Sequence, residues 1–525
     1  MGYPDGMRLG VDFGTTRVVV AACDRGNYPV VTFEGPDGGA YDWFPPLAAV
    51  IAGRRLYGWQ AWSLQEDPRA TVVRSLKRIL ADAGPQTPVA IGGLELPLAT
   101  LLAELTGALR TALTEASNLP GKRGEPLEVM LGVPAGANSN QRFLTVDAFA
   151  AAGFSVLGLL NEPSAASIEY GHSHRSTAKV KEHILIYDLG GGTFDASLVE
   201  MDERSHAVVA SEGIPTLGGD DFDEVLAELV MPDQEALSQG EMFRLVEECR
   251  MRKEGLAANS KKLAVDLDVV RPGLASVTVP VSDFYDRCQG LVEETVHAVT
   301  DLTSRTPSLE AIYVTGGGSE LPLVARLLRE TYGRKVKRSP YTRAATAIGL
   351  AIQADQSSGY QLRDRFSRYF GVWREGDSGR LMRFDSLFAK GTELPRVGEP
   401  PLEQQRSYTA VHNIGHFRYL ECSHLDEWGQ PDGTITMWDE ILFPLAPALQ
   451  DTANLASIPI GHAHLGQQIV ETYRCGAGGE LEVEIANRSA GYQRQYRLGR
   501  WGAGSPPIVP GKGGRPAAGK RSAAR

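Results

Sequence analysis

Two stretches of the chain combine residue types suited to holding an oxyanion. Residues 9–24 read LGVDFGTTRVVVAACD and residues 184–200 read ILIYDLGGGTFDASLVE. Each has an apolar, β-branched run, an Asp, a Gly-Thr turn and a second apolar run, the pattern of a tight hairpin. A hairpin turn needs one or two glycines to supply positive φ. The extra glycine in Gly190, Gly191 and Gly192, next to Thr193, implies that another body rests against bare N–H groups, and a phosphate is the usual one. The same cradle is expected at Gly14, Thr15 and Thr16. Asp12 and Asp188 hold matching places, so the two copies imply two related lobes sharing one cleft. A third run, Gly316, Gly317 and Gly318, follows a strand-like stretch and opens a helix-like one, which suits an anion or nucleotide.

These turns must be positioned by regular elements, and the chain has the material for them. It has 525 residues, 42% hydrophobic and 22% charged, an ordinary globular composition long enough for about three domains. The net charge of −11 argues against nucleic acid or an anionic membrane as partner. Five scattered cysteines without a C-x-x-C read as reduced thiols of a cytoplasmic protein. The N-terminus lacks the features of a signal peptide, and no apolar run reaches the ~18 residues that a membrane span requires. Residues 7–200 alternate strand-like segments such as 127–134 with helix-like ones such as 140–153, which predicts α/β architecture. Residues 201–355 add acidic helices, a β-rich stretch at 275–281 and the strand–glycine–helix unit at 311–330. The polar segment 353–364 reads as a linker. From about 365 to 500, short alternating strands such as 433–443 and 479–488 between turn residues predict an all-β sandwich or barrel. Residues 502–525 carry five basic and no acidic residues among Gly, Pro and Ala and read as a disordered tail. The H-x-H pairs at 172–174 and 462–464 have no nearby Cys or Asp to complete a zinc site.

Seven motifs in order resemble the heat-shock-protein-70 (DnaK-type) chaperones of the actin-like ATPase superfamily: VDFGTT (11–16), SLKRIL (75–80), VPAGANSNQR (133–142), NEPSAASIEYG (161–171), YDLGGGTFD (187–195), TLGGDDFD (216–223) and VTGGGSELP (314–322). The likeness covers about 7–355 well and 365–490 loosely. It implies a two-lobed nucleotide-binding domain over 7–355, a connector over 356–369, a β-sandwich-like substrate-binding domain over 370–501 and a basic tail over 502–525. It also implies ATP/ADP and Mg²⁺ as cofactors. Lys77 would then touch the γ-phosphate and attacking water, and Glu162 would help orient that water or the metal shell. Thr193 would lie near the γ-phosphate, with Asp12, Asp188 and Asp195 around the ion. Mg²⁺ gives up its waters reluctantly, so these carboxylates are expected to hold it through water. Gly218, Gly219 and Lys253 would line the nucleotide site. Extended or unfolded polypeptides are the implied clients, with co-chaperones or a nucleotide exchange factor as further partners.

Several positions depart from the family pattern. Arg250 stands where the family has a Glu, Ala257 where it has a Ser, and Glu320 where it has an Arg that stacks near the base. The charge reversal suggests that Arg250 and Glu320 form a swapped ion pair. No lid helices are recognisable after the β-region, and the apolar linker of the family is replaced by QSSGYQLRD (356–364). Pro134 and Arg142 match a segment that relays the nucleotide state to the peptide domain. A polar linker buries little apolar surface, so weak docking and weak coupling are expected. The chain thus reads as an ATP-hydrolysing chaperone of protein folding. The alternative is a nucleotide-gated binding or scaffold protein with weak or no ATPase. A small-molecule kinase would need an Asp base and a substrate pocket, for which no motif is found.

Overall fold

The computed structural model describes residues 7–81, 83–119, 125–174, 182–234, 237–304, 308–376, 381–395, 399–438, 440–462 and 466–498. The 502–525 tail and His464 of the second H-x-H pair lie outside them. The first hairpin is β1 (Met7–Phe13) and β2 (Val18–Ala22). After it come β3 (Leu127–Val133), helix α1 (Ser139–Ala151), β4 (Ser155–Asn161) and α2 (Glu162–His174). The sheet order is β4-β3-β1-β2, with β1–β2 antiparallel and the other pairs parallel.

The second hairpin repeats this plan. It is β5 (Glu182–Leu189) and β6 (Phe194–Asp202), continued by β7 (Ser205–Ile214), α3 (Gly219–Val230) and α4 (Gln239–Glu254). The unit closes with β8 (Ala311–Thr315), α5 (Pro322–Tyr332), β9 (Val336–Arg338), α6 (Ala345–Ala354) and β10 (Gln361–Arg363). Its sheet runs β9-β8-β5-β6-β7-β10. In both lobes an antiparallel Gly-Thr hairpin sits beside two parallel strands, as the duplicated motif predicts. Each lobe has its own apolar core, one around Leu9, Val129 and Leu102, the other around Leu185, Phe222 and Phe284.

Two helices tie the lobes together. α6 follows the second lobe in sequence yet packs on β1 and β2 of the first, and it crosses α2. Glycine makes both approaches possible. A Cβ on Gly10 would lie 2.2 Å from the Ala351 nitrogen, and one on Gly349 only 1.8 Å from the Ala165 carbonyl oxygen. Any side chain at either place would push the helix off its seat.

The β-region holds two four-stranded antiparallel sheets. One contains β11 (Tyr369–Gly376), β12 (Leu381–Phe388), β14 (Tyr419–Leu425) and β15 (Pro431–Met437); the other contains β13 (Leu402–Thr409), β16 (Gln468–Cys475), β17 (Leu481–Asn487) and β18 (Tyr492–Arg497). The orders are β12-β11-β14-β15 and β13-β16-β17-β18. Period-2 alternation turns Phe370, Val372, Tyr419, Ile469, Tyr473, Val483 and Ile485 into one shared core. An α/β first part followed by a β-rich second part is thus the architecture. All five cysteines are free thiols. Among the described residues no helix is long and apolar enough to cross a membrane.

The structure corrects three sequence readings. The stretch 433–443 is not one strand: β15 ends at Met437, and Ile441–Pro444 forms a separate short strand. The helix after the third glycine run begins only at Pro322, preceded by a 3-10 turn over Gly317–Glu320. The polar segment after α6 is docked. Its residues 361–363 pair in parallel with β7 as the edge strand of the second lobe, and Leu362 is buried there. Backbone hydrogen bonds, to which side-chain polarity is indifferent, hold it in place.

The β-region rests on the first lobe through polar groups. Asn161 donates to Asp364 at 2.8 Å, and Arg142 donates to Asn161 Oδ1 at 2.6 Å and to the Gly478 carbonyl at 3.0 Å. Ser139, the first residue of α1, donates its hydroxyl to Glu421 at 2.5 Å. Arg368 approaches Glu421 at 3.5 Å, and both are almost fully buried. Burial pushes the Glu421 carboxyl up and the Arg368 guanidinium down. On the second lobe, Lys390 pairs with Glu212 at 3.1 Å and Arg365 donates to the Val208 carbonyl at 2.6 Å. Glu421→Ala would leave Arg368 buried without its counter-ion, a loss of about 3–5 kcal/mol for such pairs. Release of the β-region from the lobe is the expected result, seen as expansion by small-angle scattering and faster proteolysis within 355–368.

Candidate functional site

The site is built where the two hairpin turns face each other. An open cleft of about 820 Å³, its solvent-filled mouth included, lies between the lobes and is lined by Asp12, Gly14, Thr15, Thr16, Lys77, Glu162, Asp188, Gly190, Gly191, Gly192, Thr193, Gly219, Lys253, Gly316, Gly317 and Gly318. The sequence named all of these as site residues, but not Arg17, Asp220, Asp223, Glu254, Thr342, Arg343 and Thr346, which line the cavity as well. A Cβ on Gly191 would lie 2.6 Å from the Thr16 hydroxyl oxygen, and one on Gly192 would lie 2.5 Å from that of Thr15. The two turns therefore touch, and glycine is what lets them.

Two expected residues sit outside the lining. Asp195, paired with Asp188 across β5 and β6, accepts from the Gly136 N–H at 3.2 Å. Gly218 caps α3, where a Cβ would meet the Gly191 carbonyl oxygen at 2.6 Å. Gly316 serves packing as well as the cavity: its φ is +81°, and a Cβ there would lie 2.3 Å from the Leu189 oxygen.

Lys77 lies in a 3-10 turn, Leu76–Ala81, and its ammonium meets Glu162 at 2.5 Å with both groups buried. Ser75, just before that turn, adopts φ +59° and donates its hydroxyl to Asp220. A non-glycine residue in this region is strained, and such strain gathers at functional sites. Here it aims Lys77 into the cleft. Ser75 opens the SLKRIL stretch, but its backbone conformation is not legible there, and Arg74, which binds Asp220 at 2.5 Å and Glu247 at 3.3 Å, lies outside that motif. Arg78 adds a bond to Asp221 at 2.5 Å. These contacts join the first lobe to α3 and α4 of the second, so the cleft is braced shut. Within the second lobe, Lys253 ties α4 to α3, meeting Asp223 and the Gly219 carbonyl, each at 2.6 Å.

The electrostatics call for a cation. Burial and the nearby Glu162 push Asp12 and Asp195 up to about 7. Burial, Glu162, Asp12 and Asp195 together push Asp188 well above the usual carboxylate range. Lys77 opposes this repulsion at all three, and at Asp195 the Gly136 N–H and the Thr193 hydroxyl oppose it too. Such a set of hard oxygen donors in charge excess suits Mg²⁺. Among the described residues no three His, Cys, Asp or Glu side chains are arranged to hold an ion directly.

A carboxyl whose folded pKa is raised keeps the folded state more protonated between about pH 4 and 7. Stability from these groups is therefore lost as pH rises through that window. A cation restores what ionisation removes. Millimolar Mg²⁺ is expected to raise the melting temperature more at pH 8 than at pH 5, by differential scanning calorimetry. A larger gain at pH 5 would contradict the assignment.

The base end of the cleft differs from expectation. Arg250 and Glu320 are not paired with each other. Arg250 binds Glu247 and, at 2.8 Å, Glu254. Glu320 binds Arg343 at 2.5 Å and Arg338 at 3.1 Å. Glu254 and Arg343, 3.5 Å apart, link the two halves. Ala257 is exposed just beyond α4.

Known proteins are similar to this chain in sequence. The family model described as Hsp70 protein matches residues 113–366. A chaperone protein HscA of Klebsiella pneumoniae is 32% identical over 527 residues, covering 94% of this chain and 78% of its own. An HscA homolog of Variovorax paradoxus is 29% identical over 379 residues, and a chaperone protein dnaK of Thalassiosira pseudonana is 28% identical over 382. In those two matches the chain spans 58% and 62% of the relative's length. The duplicated hairpin, the shared cleft and the near full-length match to a chaperone place the chain in the Hsp70 family.

Proposed function

We propose that the chain is an ATP-hydrolysing chaperone of the Hsp70 type, with a nucleotide-binding domain over 7–355 and a client-binding domain over 370–501. The observation that carries this reading is the buried Lys77–Glu162 pair, which lines the same cavity as the two touching Gly-Thr turns. Backbone N–H groups and hydroxyls of Thr15, Thr16 and Gly190–Thr193 bind the β- and γ-phosphates. Lys77 holds the γ-phosphoryl oxygens and the attacking water in line. Glu162, across the same ion pair, accepts a hydrogen bond from that water and fixes its orientation. Asp12, Asp188 and Asp195 would hold Mg²⁺ through water, and the ion would offset phosphate charge. Extended polypeptides are the clients, and the cytoplasm is the working compartment.

Communication between the domains runs through the docked edge strand and the Arg142–Asn161–Asp364 bonds. This polar latch favours a second reading, a nucleotide-gated binder of one dedicated partner with slow turnover. Phosphate release measured with and without an unfolded apolar peptide separates the two. Mg²⁺-dependent turnover that changes with peptide supports the chaperone; slow turnover indifferent to peptide supports the gated binder. Failure to bind any nucleotide would sink both.

A further inference from the structure

We propose that His412 and His462 bind one Zn²⁺ on the β-region, as a clasp between the segment that leaves β13 and the segment that enters β16. The sequence offers half of it, the H-x-H pair at 462–464, with no Cys or Asp nearby in the chain to complete a site. The fold supplies the rest from distant positions. His412 stands directly opposite His462 across an isolated antiparallel bridge, and their ring centres lie 4.4 Å apart. Glu375, near the end of β11 in the other sheet, places its Oε2 3.5 Å from His412 Nε2.

The two segments are zipped by Asn413, next to the histidine. Its N–H donates to the Gly461 carbonyl at 3.1 Å, its side-chain amide donates to the Pro459 carbonyl at 3.0 Å, and its Oδ1 accepts from the Gly461 N–H at 2.9 Å. Backbone thus fixes the spacing of the pair, and among the described residues no hydrogen bond engages either imidazole. Zinc takes imidazole nitrogen at about 2.0–2.1 Å in a tetrahedral shell, which sets two ligand nitrogens about 3.3 Å apart. Residues opposite each other across an antiparallel bridge have Cβ atoms about 5 Å apart, close enough for both rings to reach one ion once they pivot. That pivot is cheap, because His462 is exposed and imidazole torsions are broad. Glu375 accepts from Nε2 of His412, which turns Nδ1 to the metal, as a carboxylate behind a ligating histidine does. Water takes the positions that the protein leaves.

The other H-x-H pair is built differently. His172 and His174 lie on α2, where residues two apart do not face each other. His174 Nδ1 lies 3.1 Å from the Tyr170 carbonyl oxygen, and the His172 ring packs edge-on against Tyr28. The same two-histidine spelling therefore gives a clasp on one element and none on the other.

The test is calorimetric titration of the full chain with zinc chloride, with millimolar Mg²⁺ present to occupy the cleft carboxylates. The chain is expected to take up one Zn²⁺ in a step that both His412→Gln and His462→Gln lose, and the double variant should lose nothing further. Glu375→Gln should weaken that step by about tenfold, the scale for the carboxylate behind a ligating histidine. His172→Gln should leave it unchanged. Hydrogen exchange supplies a structural readout: zinc should slow the amides of 411–413 and 459–461 in the unmodified chain and in neither variant at 412 or 462. Titrations of the unmodified chain, His412→Gln and His462→Gln that coincide, with or without zinc bound elsewhere, would overturn the inference.

Discussion

Lys77→Ala is expected to lower ATP turnover by about 100-fold or more, the scale for losing one preorganised charge at a transition state. Nucleotide affinity should change by less than about tenfold, because the phosphate cradle is backbone. The asymmetry follows from position. Lys77 is buried against Glu162 and touches no part of either Gly-Thr turn in the hydrogen-bond network, so its removal leaves the turns intact. What it removes is the ammonium facing Asp12, Asp188, Asp195 and Glu162, whose mutual repulsion then lacks its side-chain counter-ion. Single-turnover hydrolysis paired with calorimetric binding separates the two effects. Equal losses in both would show that Lys77 is part of the binding cradle and not of the phosphoryl-transfer machinery.

Gly349→Ala is expected to destabilise the two-lobed unit by more than about 3 kcal/mol, the overpacking range and beyond. Helix propensity alone predicts the reverse, a gain of up to about 1 kcal/mol for alanine inside a helix. The sign is decided by packing, because the new Cβ would sit 1.8 Å from the Ala165 oxygen, a backbone atom that cannot turn aside. α6 is also held from its other side, where Gly10 meets the Ala351 nitrogen. Neither neighbour can yield without separating the lobes. Gly107→Ala is the internal comparison. Gly107 lies inside the helix Leu98–Glu115 with nothing within 4 Å of its Cβ position, so there propensity should win and stability should rise. Urea midpoints of the two variants should move in opposite directions. A stable Gly349→Ala protein would mean that the α2–α6 crossing is looser than described.

The same contrast explains why the phosphate end was legible in the sequence and the base end was not. Asp12, the glycine–threonine turns and Lys77 lie in short motifs whose chemistry depends on neighbours in the chain, and the structure gathers them on one cavity. The base-end lattice joins Arg17, Glu254, Arg343, Glu320 and Arg338, which come from distant parts of the chain. Charge reversal at Arg250 and Glu320 signalled that something had changed. It could not say that Glu254 and Arg343 stand between them, because long arginine side chains choose among several carboxylates only once helices and loops are placed. Glu471 makes the same point in the β-region. It is a charged residue of β16, yet it is fully buried, held by Arg374 at 2.7 Å.

By itself, the sequence determined the duplicated hairpins, the α/β-then-β order and the cradle residues, since these rest on local periodicity and on backbone freedom that only glycine has. The tertiary structure decided which glycines serve contact and not ligand, that Ser75 is strained, how Arg74 and Arg78 brace the cleft, and that the polar segment ending at Arg363 is a sixth strand. A strand at a sheet edge is held by backbone N–H and C=O groups, which every residue but proline carries in full. Polarity along 356–364 therefore could not reveal its docking, and only the open edge of β7 beside it did.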